Sequence, residues 1–553
     1  MAASQNPDLV EPQPCEKVAE DGCEKSGDDT IRAATDAQSI DRRGPVSARR
    51  VLYITVTMLA LMSALLLVAL DVNILAVAIP RITTDFGSLD DVAWYGSAYS
   101  LTKMALQPTF GRLYYSMRLK PTFCAAIALF GAGSIVCALA PTSASLIVGR
   151  AMQGCGCAGI NQGVLTILAF IVSKERLPIF IALVSSTYAV SSVLGPVIGG
   201  VLTESHLTWR FCFWINLPIG AVSTLVTVYS FDEPDRESTK MPVREKLASL
   251  DPIGSFILIG AVTSLILALQ WGGITLPWSD SKVWGCLLGF VLLVAVFVAH
   301  QIRQKERALI PMRILTQRTV AATCAIVTFQ MMAVTGLTYY LPVFFQASQG
   351  LSPTNAGLYL LGFALPSPIF SLISGAAVTA TGQYLPWLLA GGAVLTVGSG
   401  LLSTLTVGNS GLGKIIGFEF LASAGFGLAV QQPLVAIRNV VDTEDIPMGS
   451  ALWVFFQALG TSVGLGIAQV VFLSSLRTKL GGRLPEEEVT AIIALGALGG
   501  DRISPDLAPF VAESYGESVQ AALYLSVATA GLSLLCAWLV EWKGIKREPR
   551  SSS

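Results

Sequence analysis

Four ionisable side chains stand inside long apolar runs of this chain: Asp71, Lys103, Arg150 and Glu419. A charge in hydrocarbon is costly, so such residues face a cavity or a partner and carry protons, ions or substrate. Asp71 reads as a proton carrier, because burial in an apolar cavity brings the neutral and charged carboxyl forms close in energy. The competing reading is a water-exposed position at a helix end. Arg150 stays protonated, so it pairs with a carboxylate or responds to the proton on one; a purely structural ion pair is the alternative. Glu419 is the best acidic counterpart in the second half, unless it lies at the interface near Lys414. Lys103 is open between compensating a carboxylate and binding an anionic substrate. Asn161, Gln162, Gln346, Gln431, Gln432 and Gln457 lie in the same runs. They can hydrogen-bond a substrate or hold helices together at roughly 1 kcal/mol per bond or less. Trp94, Tyr99, Tyr188, Tyr339, Tyr340 and Trp453 can wall a greasy cavity as a set, although each alone fits packing or interfacial anchoring.

The runs that hold these residues dominate the chain, which is 53% hydrophobic and only 13% charged. A bilayer core takes about 20 apolar residues per helix, and only helices or closed barrels satisfy their own backbone in lipid. These stretches are too long for barrel strands and do not alternate. The chain therefore reads as an all-α polytopic membrane protein. Its spans fall at 52–79, 93–113, 121–140, 144–172, 178–202, 211–231, 252–271, 283–301, 320–346, 355–380, 386–407, 412–433, 447–475 and 519–541. Asp71 belongs to the outer half of the first.

Basic residues mark one side of the membrane. Arg49 and Arg50 precede the first span, Arg112, Arg118 and Lys120 follow the second, and Lys174 and Arg176 follow the fourth. Arg236, Lys240, Arg244 and Lys246 follow the sixth, Arg303, Lys305, Arg307, Arg313 and Arg318 the eighth, and Lys543, Lys546, Arg547 and Arg550 the last. By the positive-inside bias both termini are cytoplasmic. Residues 1–50 read as a disordered cytoplasmic tail without a cleavable signal peptide. No cysteine pair falls in an outer loop, so no structural disulfide is expected. The net charge of −1 gives no sign of a nucleic-acid partner. There is no phosphate-binding Gly-x-x-x-x-Gly-Lys-Ser/Thr loop, which excludes an ATP-driven pump. His206 and His300 have no metal-ligand spacing, so neither a metal, a cofactor nor an enzyme activity is expected.

Glycines echo between the two ends. Gly154-x-Gly156 is matched by Gly425-x-Gly427, Gly111 by Gly375, and Gly195 with Gly199 by Gly460 with Gly464, each pair eight spans apart. Two six-helix bundles with two inserted helices fit this pattern, although glycine recurs in membrane helices anyway. Span five ends in Gly195-Pro196-Val197-Ile198-Gly199-Gly200. Pro196 removes a donor and the glycines permit close backbone approach, so Gly195, Pro196, Gly199 and Gly200 form a candidate conformational hinge; a generic packing kink is the other reading.

Gly195-Pro196-x-x-Gly199-Gly200 also resembles the antiporter motif of the major facilitator superfamily, with Ser191 where that pattern has Gly. Leu70-Asp71-Val72-Asn73 through Ala78-Ile79-Pro80 is similar to the first-helix motif of its 14-span drug:proton antiporters, with Asn73 in place of Thr. Gly149-Arg150-Ala151-Met152-Gln153-Gly154 resembles the span-four motif around a membrane-embedded Arg. Trp209-Arg210-Phe211 and Ile215-Asn216-Leu217-Pro218-Ile219-Gly220 resemble the start of span six. The resemblance covers roughly 51–541, and details such as Gly111-Arg112-Leu113-Tyr114-Tyr115 and Gln431-Gln432-Pro433 look like fungal toxin and multidrug exporters. It implies a gating loop containing Gly111, Arg112, Arg118 and Lys120. The family's acidic latch residue is replaced there by Tyr115, and Arg118 stands where Gly is usual. It also implies a coupling role for Arg150, which with the proton carrier Asp71 and the acidic counterpart Glu419 makes up the expected proton-coupling set.

The expected organisation is a tail at 1–50, an N-terminal six-helix bundle at 51–231, a linker and two extra helices at 232–318, and a C-terminal bundle at 319–541. That last bundle has a long outer loop at 477–518, with a short amphipathic helix expected around Glu487–Leu498, and 542–553 is a second cytoplasmic tail. The expected activity is proton-coupled export of a small amphipathic molecule, a secondary metabolite, toxin or drug, by a monomer in the lipid bilayer of the plasma membrane or, alternatively, the vacuole. An importer of a nutrient or iron chelate and a non-transporting sensor are the alternatives.

Overall fold

In a computed structural model of the chain the described residues are 48–86, 91–205, 208–233, 236, 242, 246, 250–273, 276–406, 411–495 and 507–545. Residues 1–47 of the tail expected at 1–50, with His206, Lys240, Arg244, Lys546, Arg547 and Arg550, lie outside them, whereas 48–50 belong to the first helix and not to a tail. The chain divides into two units, Met1–Tyr53 and Ile54–Ser553; apart from residues 48–53, which open the first helix, the architecture below is that of the second.

All fourteen expected stretches are helical. They are α1 Ala48–Phe86, α2 Val92–Ser116, α3 Leu119–Ala138, α4 Ser143–Ile171, α5 Leu177–Glu204, α6 Phe211–Ser230, α7 Pro252–Trp271 and α8 Ser281–Gln304. Then come α9 Arg318–Ser348, α10 Asn355–Thr381, α11 Leu385–Leu402, α12 Leu412–Val440, α13 Ile446–Gly481 and, after a short outer helix α14 Glu486–Leu495, α15 Ala508–Ala537. Among the described residues, thirteen of the helices are long and apolar enough to cross a membrane. The expected count of fourteen is not met by α2, although its 25 residues span about 38 Å at 1.5 Å per residue. That helix carries Lys103, Gln107 and Arg112 and packs against α4, α7 and α13. Neighbouring helices cover much of its polar surface. The loop expected at 477–518 is also shorter, because α13 runs on to Gly481 and α15 starts at Ala508.

Local chemistry sets several boundaries. Thr142 opens α4 with a capping box closed by Ser145, which satisfies two orphan backbone donors. Asp251 caps α7, with Pro252 in the first turn. Gly382, at φ 73°, closes α10 and returns its N–H to Val378. Three helices are broken. The chain turns at Ile215 within α6, at Leu360 and Leu365 within α10, and at Val430–Gln431 within α12. Each break precedes a proline, Pro218, Pro366 or Pro433, and a proline lacks the N–H that the helix needs.

Glycine sets the closest helix contacts, and helices eight apart pack alike. Gly195 and Gly199 press α5 onto Asn73 and Ile74 of α1; Gly460 and Gly464 press α13 onto Thr328 and Met332 of α9. At the end of the molecule that carries the basic loops, Gly111 of α2 abuts Ala451 and Pro447 of α13. Its counterpart Gly375 of α10 abuts Pro178 and Ile179 of α5. This basic end is therefore closed between the two groups of helices. The pair α7 and α8 packs together, with α7 also against α2 and α13. Trp284, Leu288, Val291, Leu292, Val296 and Ile302 of α8 stay exposed as an apolar face suited to lipid.

Candidate functional site

Five helices converge on one carboxylate. Asp71 of α1 is 2% exposed and Arg150 of α4 is 1% exposed, so the solvent-exposed reading of Asp71 fails. Arg150 Nη1 lies 2.5 Å from Asp71 Oδ2. The second oxygen, Oδ1, accepts from Gln153 Nε2 at 2.8 Å and from Asn216 Nδ2 at 2.9 Å. Ser134 of α3 accepts from the same two amides, at 2.8 and 3.2 Å. Arg150 also donates from Nη1 to Gln153 Oε1 at 2.7 Å and from Nε to the Tyr95 carbonyl at 3.0 Å. Its guanidinium lies 4.4 Å over the Tyr99 ring. The charges thus have paired, hydrogen-bonded surroundings, the condition under which a buried ion pair holds. Gln153 and Asn216 complete the shell, and the break at Ile215 is what presents Asn216. Nothing in their residue types marks them out; the only signal is that both fall inside the motifs around Arg150 and at the start of α6.

Glu419 has a different environment. It is fully buried, and neither carboxylate oxygen has a hydrogen-bond partner. Its side chain faces Gly362 in the broken part of α10, where Ser423, one turn on, donates to the Phe363 carbonyl. The interfacial reading near Lys414 fails on this burial. Arg150 follows the start of α4 by seven residues, as Glu419 follows the start of α12. The same offset matches Gly156, packed on Phe130 of α3, with Gly425, packed on Leu395 of α11. Gly156 and Gly425 are thus equivalent, in a register shifted by two from the one the glycine spacing suggests, so that Gly154 answers to Ser423 and Gly427 to Ala158.

Most of the polar residues expected to bind substrate tie helices together instead. Gln162 Nε2 donates to the Pro447 carbonyl of α13 at 2.5 Å, and its Oε1 accepts from Gln107 at 3.2 Å. Gln431 Nε2 donates to Ser185 of α5 at 2.8 Å, while its Oε1 has no partner. Gln432 donates to Ser374 of α10 at 3.2 Å, with Oε1 likewise unpartnered. Asn161 accepts from Tyr188 at 2.9 Å. Lys103, Gln346 and Gln457 are half-buried, and no side-chain bond ties them to the described residues. In the gating segment, Arg112 is buried, lies 5.0 Å over the Tyr115 ring and reaches Met448 Sδ at 3.5 Å. Arg118 is exposed at the start of α3, and Lys120 donates to the Val228 carbonyl of α6 at 2.9 Å. Beside Tyr115, Arg313 pairs with Asp445 at the head of α13, 2.8 Å apart.

In the candidate hinge, α5 is helical without interruption through position 196. Gly195 and Gly199 are clamped against α1, whereas a Cβ on Gly200 would meet open space. Two of the departures from the resembled pattern meet: Asn73 Nδ2 donates to Ser191 Oγ at 3.2 Å. No group of three or more metal-ligating side chains occurs among the described residues.

The profile of the Major Facilitator Superfamily matches residues 61–465. The chain is 39% identical to the MFS-type transporter ltbE of Aspergillus luteorubrus, over 88% of this chain and 89% of that one. It is 38% identical to the efflux pump roqT of Penicillium rubens, over 90% and 92%. Among solved structures, the human organic anion transporter MFSD10 superposes with a TM-score of 0.56 at 14% identity, over 90% of this chain and 100% of that one. That likeness is one of fold.

Proposed function

The chain belongs to the Major Facilitator Superfamily, and on that premise we propose that it is a proton-coupled exporter of small amphipathic organic molecules. Fungal secondary metabolites or toxins are the substrates that best suit its relatives' designation as efflux pumps. It works as a monomer in the plasma membrane with both termini in the cytoplasm. The bundles at 51–231 and 319–541 rock about a central path, with α7 and α8 inserted between them.

The observation that carries this reading is the sealed Asp71–Arg150 pair. With Asp71 ionised, the pair and its amide shell bind α1, α3, α4 and α6 into one unit. A proton on Asp71 cancels the charge that compensates Arg150. The balance between the arrangement closed at the basic end and one open there then shifts by the difference in pairing energy. Glu419, buried without a partner, is the second proton site. It holds a proton while its surroundings are dry and releases it when water reaches α10 and α12.

The test is dye movement in sealed proteoliposomes under an imposed pH difference, with a panel of amphipathic fluorescent dyes. The wild type should move at least one dye in a proton-dependent way, and Asp71→Asn should abolish that movement. Wild-type protein that moves none, or Asp71→Asn that still couples to the gradient, would reject the proposal.

A further inference from the structure

Arg438 is a buried cation without a counter-charge. It sits in the last turns of α12 at the basic end and is 4% exposed. Its Nη2 donates across to the Leu165 carbonyl of α4 at 2.6 Å and to Ser450 Oγ of α13 at 3.2 Å; its Nε reaches the same hydroxyl at 3.4 Å. Nη1 has no partner. Among the described residues no carboxylate pairs with it. Buried charges are ordinarily matched by an opposite charge, as Arg150 is by Asp71. One turn along α13 from Ser450, Trp453 is also buried with its indole N–H unpartnered. The unused Nη1 donor therefore lies where α4, α12 and α13 meet, and the buried apolar side chains Leu434, Ile437 and Val454 lie on the same helices.

We infer that Arg438 is an anion-recognition site on the transport path, and that the substrates include organic acids: a carboxylate, ionised phenol or enol on an apolar body. The inference rests on the exporter reading above. A guanidinium presents a planar fork that takes a carboxylate through two parallel hydrogen bonds. In the closed arrangement the Leu165 carbonyl occupies part of that fork from the opposite group of helices. When the basic end opens, α4 draws away from α12 and the fork is released toward the side from which an exporter loads. An arriving acid replaces Leu165 with a full negative charge and engages Nη1 as well. Binding thereby favours the open form, because the acid contacts the fork only there.

Binding to purified full-length protein in detergent tests this without any gradient. The probes are 2-naphthoate and its neutral isostere 2-naphthamide, read by the concentration dependence of the thermal unfolding temperature at neutral pH. The wild type should prefer the acid by roughly tenfold or more, the scale of a hydrogen bond to a charged group. Arg438→Gln should bring the two affinities together. Wild-type protein that binds the two equally or binds neither, or Arg438→Gln that keeps the preference, overturns the inference. If Arg438→Gln does not fold, Arg438→Lys decides: it keeps the charge but loses the fork, so the acid should weaken severalfold with the amide unchanged. Equal acid binding by Arg438→Lys and wild type then overturns it. A chain that couples dye movement to protons yet shows no acid preference refutes the anion site alone and leaves export standing.

Discussion

At the scale of single residues, the two buried carboxylates make opposite predictions. Asp71→Asn removes the counter-charge of Arg150 and leaves a buried guanidinium uncompensated, which costs about 3–5 kcal/mol. Glu419→Gln removes a carboxylate that has no partner to lose, so it should keep stability within about 1 kcal/mol or raise it. Thermal unfolding of both variants at neutral pH checks this; a larger loss for Glu419→Gln would mean that the carboxylate is compensated after all. Both variants should lose proton-coupled export. The glycines divide in the same way. Gly195→Ala forces a methyl into Asn73, an overpacking cost of about 1–3 kcal/mol, whereas Gly200→Ala should stay within about 0.5 kcal/mol. Parallel melts and export assays separate them. The sequence makes Asp71, Arg150 and Glu419 legible because a charge in an apolar run has few explanations. It hides Gln153, Asn216 and Ser134, since a lone amide or hydroxyl in a membrane helix is ordinary until other helices bring it to the same carboxylate. Arg438 escapes for another reason: a basic residue near the end of an apolar stretch reads as a membrane flank.

At the scale of elements, apolar length makes the helices legible, but it misjudges α2, whose polar residues are shielded by packing. The join between the inserted helices is invisible in the sequence, because Asp251 and His300 are far apart along the chain. Asp251 caps α7 at Gly254 N–H (2.9 Å), and it holds α8 through His300 Nε2 at 2.7 Å and Gln301 Nε2 at 2.9 Å. Gln301 in turn accepts from the Ile310 N–H at 3.0 Å. Burial works to raise the Asp251 carboxyl, but the bonds from His300, Gly254 and Gln301 and the His300 charge together carry it below the ordinary carboxylate value. A depressed folded-state value stabilises the fold fully above the unfolded value of about 4. That contribution fades as pH falls through the lower folded-state value. Asp251→Asn keeps a capping oxygen and should remove this acid dependence, while Asp251→Ala should also lose the cap, about 0.5–2 kcal/mol. Melting curves from pH 6 downward test both; if wild type and Asp251→Asn fall in parallel, the pair does not couple to pH.

At the scale of the whole molecule, glycine spacing foreshadows the internal repeat. The closed basic end depends on contacts between residues far apart in the chain, such as Gln162 with Pro447 and Gln431 with Ser185, which no local pattern reveals. Gln162 and Gln431 occupy matching places in the shifted register, and each donates across to the other group of helices, Gln162 to Pro447 and Gln431 to Ser185. Two such bonds, with the glycine contacts at Gly111 and Gly375, close this end without an ion pair among these four contacts. Each bond is worth about 1 kcal/mol net, weak enough for reversal in a transport cycle. Locking one should therefore trap the closed arrangement. With the native cysteines replaced, Ser185→Cys and Gln431→Cys place two thiols where donor and acceptor now lie 2.8 Å apart. A short bifunctional thiol reagent should abolish export in the double variant, reduction of a cleavable reagent should restore it, and neither single variant should respond. Loss of export should coincide with loss of reagent access to a cysteine at Ala451, whose Cβ faces Gly111 across the seam. Full activity in the cross-linked protein would show that α5 and α12 stay together throughout the cycle, and that this end is not the one that opens.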